Sequence, residues 1–117
     1  MDTTFNAAIS SVKAHGRKLN ITANNVANVN TNGFKRDQAL LREGAAGDVR
    51  VHVRKDMTPA PPDPLAPDAP GIAKALSNVD LADEMPGLIP TTIGYKVNLK
   101  VIRARDEMIG SLLDTLA

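Results

Sequence analysis

The sequence predicts a mainly α-helical, elongated chain. Its N- and C-terminal helices should pair as a coiled-coil-like core, joined by a short extended and Pro-rich middle. Three observations lead there. Apolar residues recur at steps of four and three over both ends of the 117 residues. Only 3% of residues are aromatic (Phe5, Phe34 and Tyr95), against 43% hydrophobic overall, so buried area has to come from aliphatic seams. Six prolines crowd residues 59–70, which favours a polyproline-like path over helix or sheet. The expected organisation is residues 1–36 as an N-terminal helix and Asn-rich loop, 37–80 as the middle, and 81–117 as a C-terminal helix.

The first element rests on Phe5, Ile9, Val12, Gly16, Leu19, Ala23, Val26 and Asn30, which keep heptad spacing. One set of seam positions is large: Phe5, Val12, Leu19 and Val26. The other begins with Ile9 and turns small at Gly16, Ala23 and Asn30. Small seam residues admit a close partner. Gly16 also weakens an isolated helix by about 1 kcal/mol, so this helix needs a partner.

The helix then meets "NNVANVNTNGFKR", residues 24–36. Asparagine ends helices, tolerates left-handed backbone and builds turns, and Gly33 suits a positive φ. The seam phase nevertheless continues through Ala23, Val26 and Asn30, so the helix is expected to run into the asparagines. Half-buried amides there need partners. In a self-assembling protein those partners can lie on a neighbour and fix its register.

In the middle, "GDVRVHVRKD" alternates Val49, Val51 and Val53 with polar residues and predicts one short strand that needs an edge to join. The final element keeps the four-three spacing through Leu81, Met85, Leu88, Thr92, Tyr95, Leu99, Ile102, Asp106, Ile109, Leu113 and Leu116. A second stripe, Val97, Val101, Ala104, Met108 and Leu112, runs beside it. A helix apolar on two stripes exceeds what one neighbour covers. Pro86 and Pro90 each cost a helix interior about 3 kcal/mol. The predicted helix is therefore 91–116, with 81–89 a separate turn or kinked lead-in. Both terminal helices would then be about 26 residues and about 39 Å long. Asn78 or Asp80 can cap, with Asp83 and Glu84 suited to the helix dipole.

Composition excludes several functions. The net charge is +1, from 14 basic and 13 acidic residues, which leaves no nucleic-acid footprint. No apolar run of about twenty residues can span a membrane. The N-terminus lacks the apolar core of a cleaved signal. Without cysteine there is no disulfide or thiolate chemistry. His15 and His52 are isolated, Ser10 and Ser11 lack a nucleophile elbow, and the Asp80–Asp83–Glu84 cluster lacks an EF-hand's loop. No catalytic residue, cofactor site or metal site is predicted, and the chain reads as nonenzymatic.

The motif "ANNVANVNTNGFKR" resembles the N-terminal signature of flagellar basal-body rod and hook proteins. It matches at Ala23, Asn24, Asn25, Ala27, Asn28, Asn30, Thr31, Gly33, Phe34, Lys35 and Arg36. "DPLAPDAPG" with "SNVDLADEM", and the closing "GYKVNLKVIRARDEMIGSLLDTL", are similar to the proximal rod branch, the FlgC type. Matches there include Tyr95, Asn98, Ile102, Asp106, Glu107, Met108 and Leu113. The resemblance implies terminal helices packed as the inner core of a helical tube, the periplasmic rod of the basal body. It implies export through the flagellar type III apparatus without a cleaved signal. Partners would be copies of the chain and other rod proteins. The assembly interface would be the two seams from Phe5 to Val26 and from Tyr95 to Leu116, with Asn98 and with Asn24, Asn25, Asn28, Asn30, Thr31 and Gly33. Other readings are a distal rod or hook component, or a small soluble coiled-coil adaptor or export-apparatus binding module.

Overall fold

The computed structural model describes residues 2–65, 68 and 75–116. Its order is α1 (Asp2–Ala27), β1 (Asp37–Glu43), β2 (Val49–Lys55) and α2 (Leu81–Leu116). The molecule is a rod of 76 × 25 × 18 Å. Mainly α architecture with paired terminal helices is what the heptads predict. Part of the Pro-rich segment lies outside the described residues. The piece that is described includes an isolated bridge between Pro62 and Ala75.

α1 and α2 run antiparallel. Asn25 meets Glu84, a Cβ added to Gly16 would lie 3.6 Å from a Tyr95 ring carbon, and Phe5 stacks under the Arg105 guanidinium at 3.9 Å. A cation over a ring face is attracted by the ring quadrupole, which fixes this end of the pair. The deepest burial in α1 is at Ala8, Ser11, Ala14, Thr22 and Asn25, and in α2 at Thr91. Ala8 and Ala14 are the only buried hydrophobic side chains among the described residues. The line of contact therefore runs one residue before the apolar seam. Ile9, Val12, Gly16, Leu19 and Val26 are half-buried on its flank, and Ala23 is exposed.

Small side chains explain this choice of face. At Gly94 an added Cβ would strike the His15 ring, 2.8 Å from Cδ2. That ring is tied in place by a 2.8 Å bond between Nδ1 and the Ser11 carbonyl. Gly94 thus lets a histidine lie directly on the backbone of α2. Thr91 and Asn98 turn their polar ends back to the carbonyls of Gly87 and Gly94 at 2.7 and 2.8 Å, so neither leaves an unmet group in the contact.

α2 corrects two expectations. It is one continuous helix of 36 residues, about 54 Å at the α-helical rise, and not a 91–116 helix with a separate lead-in. It is therefore longer than the 26-residue α1, and the helices are not matched. Pro86 and Pro90 sit inside it on the exposed face, where the carbonyls they leave unbonded can meet water. The opposite face, Leu88, Thr91, Gly94 and Tyr95, packs inward and holds the helix through both prolines. Asp80 caps the start: its Oδ1 accepts from Ala82 N at 2.8 Å.

The strand predicted at Val49, Val51 and Val53 is β2, with these valines turned toward α1 and Arg50, His52 and Arg54 outward. It is not alone. β1 supplies its antiparallel partner, from Asp37 opposite Lys55 to Glu43 opposite Val49. Gly47 makes the intervening turn at φ 73°. A two-stranded hairpin is marginal by itself, and α1 steadies it. Ser10 Oγ donates to the Ala7 carbonyl at 2.9 Å and accepts from Val49 N at 3.0 Å.

If the helices owe their spacing to Gly94, the Gly94→Ala chain should be less stable than the parent. Propensity alone would favour alanine by about 1 kcal/mol, while overpacking costs about 1–3 kcal/mol. Gly87→Ala, where a Cβ meets nothing within 4 Å, should raise stability. Thermal unfolding followed by circular dichroism reads both. A Gly94→Ala midpoint at or above the parent's would show that His15 is not seated on α2.

Candidate functional site

The asparagine stretch becomes a joint between three elements. α1 ends at Ala27, so Asn24 and Asn25 are helical, while Asn28 to Gly33 form the turn that follows. Asn25 is 1% exposed, and its amide is used within the chain. Nδ2 donates to the Asp37 carbonyl at 2.8 Å and to Glu84 Oε1 at 3.1 Å. Oδ1 accepts from Asp37 N at 3.0 Å. The side chain thus pairs with the outward edge of β1 as another strand would, and its second donor reaches α2. A single residue of α1 fixes where both the hairpin and α2 begin.

The other asparagines divide between turn and surface. Asn28 Nδ2 donates to the Asn24 carbonyl at 2.9 Å and to Asn24 Oδ1 at 3.0 Å, and Asn28 Oδ1 accepts from Thr31 Oγ1 at 3.1 Å. These bonds close the last helical turn. Gly33 has φ 73°, as expected for its place, and donates to the Ala75 carbonyl at 2.8 Å. Asn30 and Thr31 are exposed. Asn32 reaches Asp63 Oδ2 at 3.3 Å.

Two residues carry more than sequence reasoning assigned them. Asn78, considered there as a helix cap, is a clamp. Its Oδ1 accepts from Arg36 N at 2.7 Å, and its Nδ2 donates to the carbonyls of Asp56 and Thr58 at 2.8 and 3.2 Å. Arg36, the last residue of the motif, links Asp56 (3.0 Å) to Asp83 (3.3 Å) and Glu84 (3.9 Å) on the first turn of α2. The Thr58 backbone N–H and hydroxyl, then Arg36, hold the Asp56 carboxyl down at about 2, so it stays ionised. The only hint in the sequence was the acidic first turn of α2 after a motif ending in two basic residues.

The C-terminal seam residues separate along the helix. Tyr95, Asn98 and Ile102 are half-buried against α1, whereas Leu99, Asp106, Ile109, Leu113 and Leu116 are exposed. A groove of about 440 Å³ beside Phe5 is lined by Ile102, Arg103, Arg105, Asp106 and Ile109. The second stripe is exposed as well, and it extends backward through Met85, Ile89 and Ile93 to Val97, Val101, Met108 and Leu112. This is an apolar face running nearly the length of α2. Among the described residues no group of three or more His, Asp or Glu is placed to hold a metal ion. None of the described helices is long and apolar enough to cross a membrane.

The joint makes a specific expectation for Asn25→Asp. The shape is kept, but a carboxylate replaces the donor that faces the Asp37 carbonyl and Glu84. Stability should fall by on the order of 3 kcal/mol, since buried groups lose partners and two acids meet. Part of the loss should return as the pH falls and the introduced acid takes up a proton. Urea unfolding at neutral and mildly acidic pH measures it. A loss within about 0.5 kcal/mol, the range of ordinary surface changes, would remove Asn25 from the centre of the fold.

Comparison with known families is direct at both ends of the chain. Residues 5–35, α1 and the asparagine turn, match the family described as flagella basal body rod protein. Residues 75–115, the Asn78 clamp and nearly all of α2, match the family described as flagellar basal body rod FlgEFG protein C-terminal. No curated protein matches the chain. The two matches fall on the two helices that pack together, and the chain belongs to the flagellar basal-body rod family, a family of structural components that assemble with other rod proteins.

Proposed function

We propose that the chain is a subunit of the proximal rod. It leaves the cytoplasm through the flagellar type III export apparatus without a cleaved signal and assembles in the periplasmic space with copies of itself and with other rod proteins. Its helices transmit torque by packing. The observation that carries this reading is the division of surfaces on the helix pair. The chain uses small and polar residues for its own contact, Ala8, Ser11, Ala14, Thr22 and Asn25 on α1 and Thr91 and Gly94 on α2. It leaves most of the large apolar residues of α2 outside, from Met85 to Leu116. Such a subunit is built to be finished by its neighbours.

The proximal assignment rests on the short middle and on the resemblance of residues 63–85 and 94–116. Between the helices the described residues hold a hairpin and turns, with no added layer that would widen a tube. In the assembled rod, the half-buried seam positions Ile9, Val12, Leu19 and Val26 and the exposed Asn30 and Thr31 lie within reach of neighbours.

Val97 and Met108 test the proposal. Both are exposed, so Val97→Asp and Met108→Asp should leave the chain's helix content unchanged. In the rod each would bury an unpaired carboxylate, at a cost of several kcal/mol. The expected result is a non-motile strain whose basal bodies lack the variant chain. Full motility with either variant would contradict the assignment of this face to neighbours.

A further inference from the structure

We infer that the β-hairpin of one copy docks through its basic outer face onto the Asp106–Gly110–Asp114 side of α2 in a second copy. The inference rests on the rod reading for its setting and names a contact that reading does not contain.

The hairpin's outer face is basic and imperfectly balanced. Arg42 lies directly opposite Arg50 in the β1–β2 register, and like charges so placed repel. Arg50 is joined to Asp48 at 2.7 Å, while Arg54 donates to the neutral Gln38 Oε1 at 2.7 Å. Among the described residues no carboxylate forms an ion pair with Arg42 or Arg54. An acidic partner would relieve the repulsion.

α2 carries a matching surface. Asp106 and Asp114 are exposed and form no ion pair among the described residues. Between them lies Gly110, also exposed, where an added Cβ would meet nothing within 4 Å. Glycine weakens a helix relative to alanine, and nothing inside the chain calls for it here. It opens a notch between two acids. Spacing i, i+4, i+8 puts the three on one side of the helix, with the acids about 12 Å apart. On β2, Arg50 and Arg54 stand roughly 13 Å apart with His52 midway, all on the outer face. Two arginines can meet the two aspartates while the imidazole enters the notch over Gly110.

The geometry requires a second copy. The strands pack on α1, and neither strand packs on α2. A contact between two different patches of one chain is heterologous and propagates from copy to copy, as a helical tube requires.

Two single-cysteine chains test this contact, using a parent that has no cysteine. His52→Cys and Gly110→Cys are produced together in flagellated cells, and also mixed as purified full-length chains at low salt, under mild oxidation. The expected product in both settings is the mixed disulfide, in excess over either homodimer. Adding Asp106→Arg and Asp114→Arg to the Gly110→Cys chain should reduce it at least tenfold. Adding Arg50→Asp and Arg54→Asp to the other chain should restore it. Basal bodies that contain both chains without the mixed disulfide would overturn the contact and leave the rod reading intact. A mixed disulfide indifferent to charge reversal would overturn it as well. Chains missing from basal bodies would count against the rod reading, and the purified mixture then decides the contact alone: no mixed disulfide there overturns it.

Discussion

Two helices can lie this close only where side chains are almost absent, and that constraint orders the rest of the molecule. His15 rests on Gly94 and Tyr95 on Gly16. The buried line between them is alanine, serine, threonine and asparagine. Area burial at such a contact is modest, because small side chains remove little apolar surface from water. The chain therefore depends on geometry and hydrogen bonds where a larger domain would depend on a hydrophobic core. It also follows that most of the large aliphatic residues of α2 have nowhere inside to go. They form the stripe from Met85 to Leu116 on the outside of α2.

The asparagine stretch answers to the same constraint. With little core to orient the elements, polar contacts have to do it. Asn25 pairs with both backbone groups of Asp37 and with Glu84, and Asn78 gathers Arg36, Asp56 and Thr58. Buried amides of this kind admit one arrangement, because any other leaves a donor or acceptor unmet. Helical Asn24 and Asn28 of the turn together close the helix end, which leaves Asn30 and Thr31 on the surface. One stretch thus divides its amides between holding the subunit together and presenting a polar edge.

Much of this was legible in the sequence. Heptad spacing located α1 to within three residues at each end, valine alternation located β2, and Asp80 was recognisable as a cap. What stayed hidden has identifiable causes. Apolar periodicity marks where large residues lie, so it pointed one residue away from a contact made by small and polar ones. Pro86 and Pro90 carry a penalty that assumes a helix interior, and only the packed structure shows both on the solvent face. β1, "DQALLRE", has no β-branched residue and favours helix on propensity; its partner strand overrides that preference. Asn25 looked available to a neighbour because its partners, Asp37 and Glu84, are remote in sequence. Its burial could not be read from spacing.

Thiol reactivity measures the division of surfaces directly. One cysteine replaces Val97 on the outer stripe of α2, and in a second chain one replaces Thr91 in the helix contact. Each is exposed to a water-soluble alkylating reagent as the free chain and in purified basal bodies. The Val97 position should react in the free chain and be protected in basal bodies, while the Thr91 position should be protected in both. Equal reactivity of the Val97 position in the two states would contradict that division, since the outer face of α2 would then remain open to water in the finished rod.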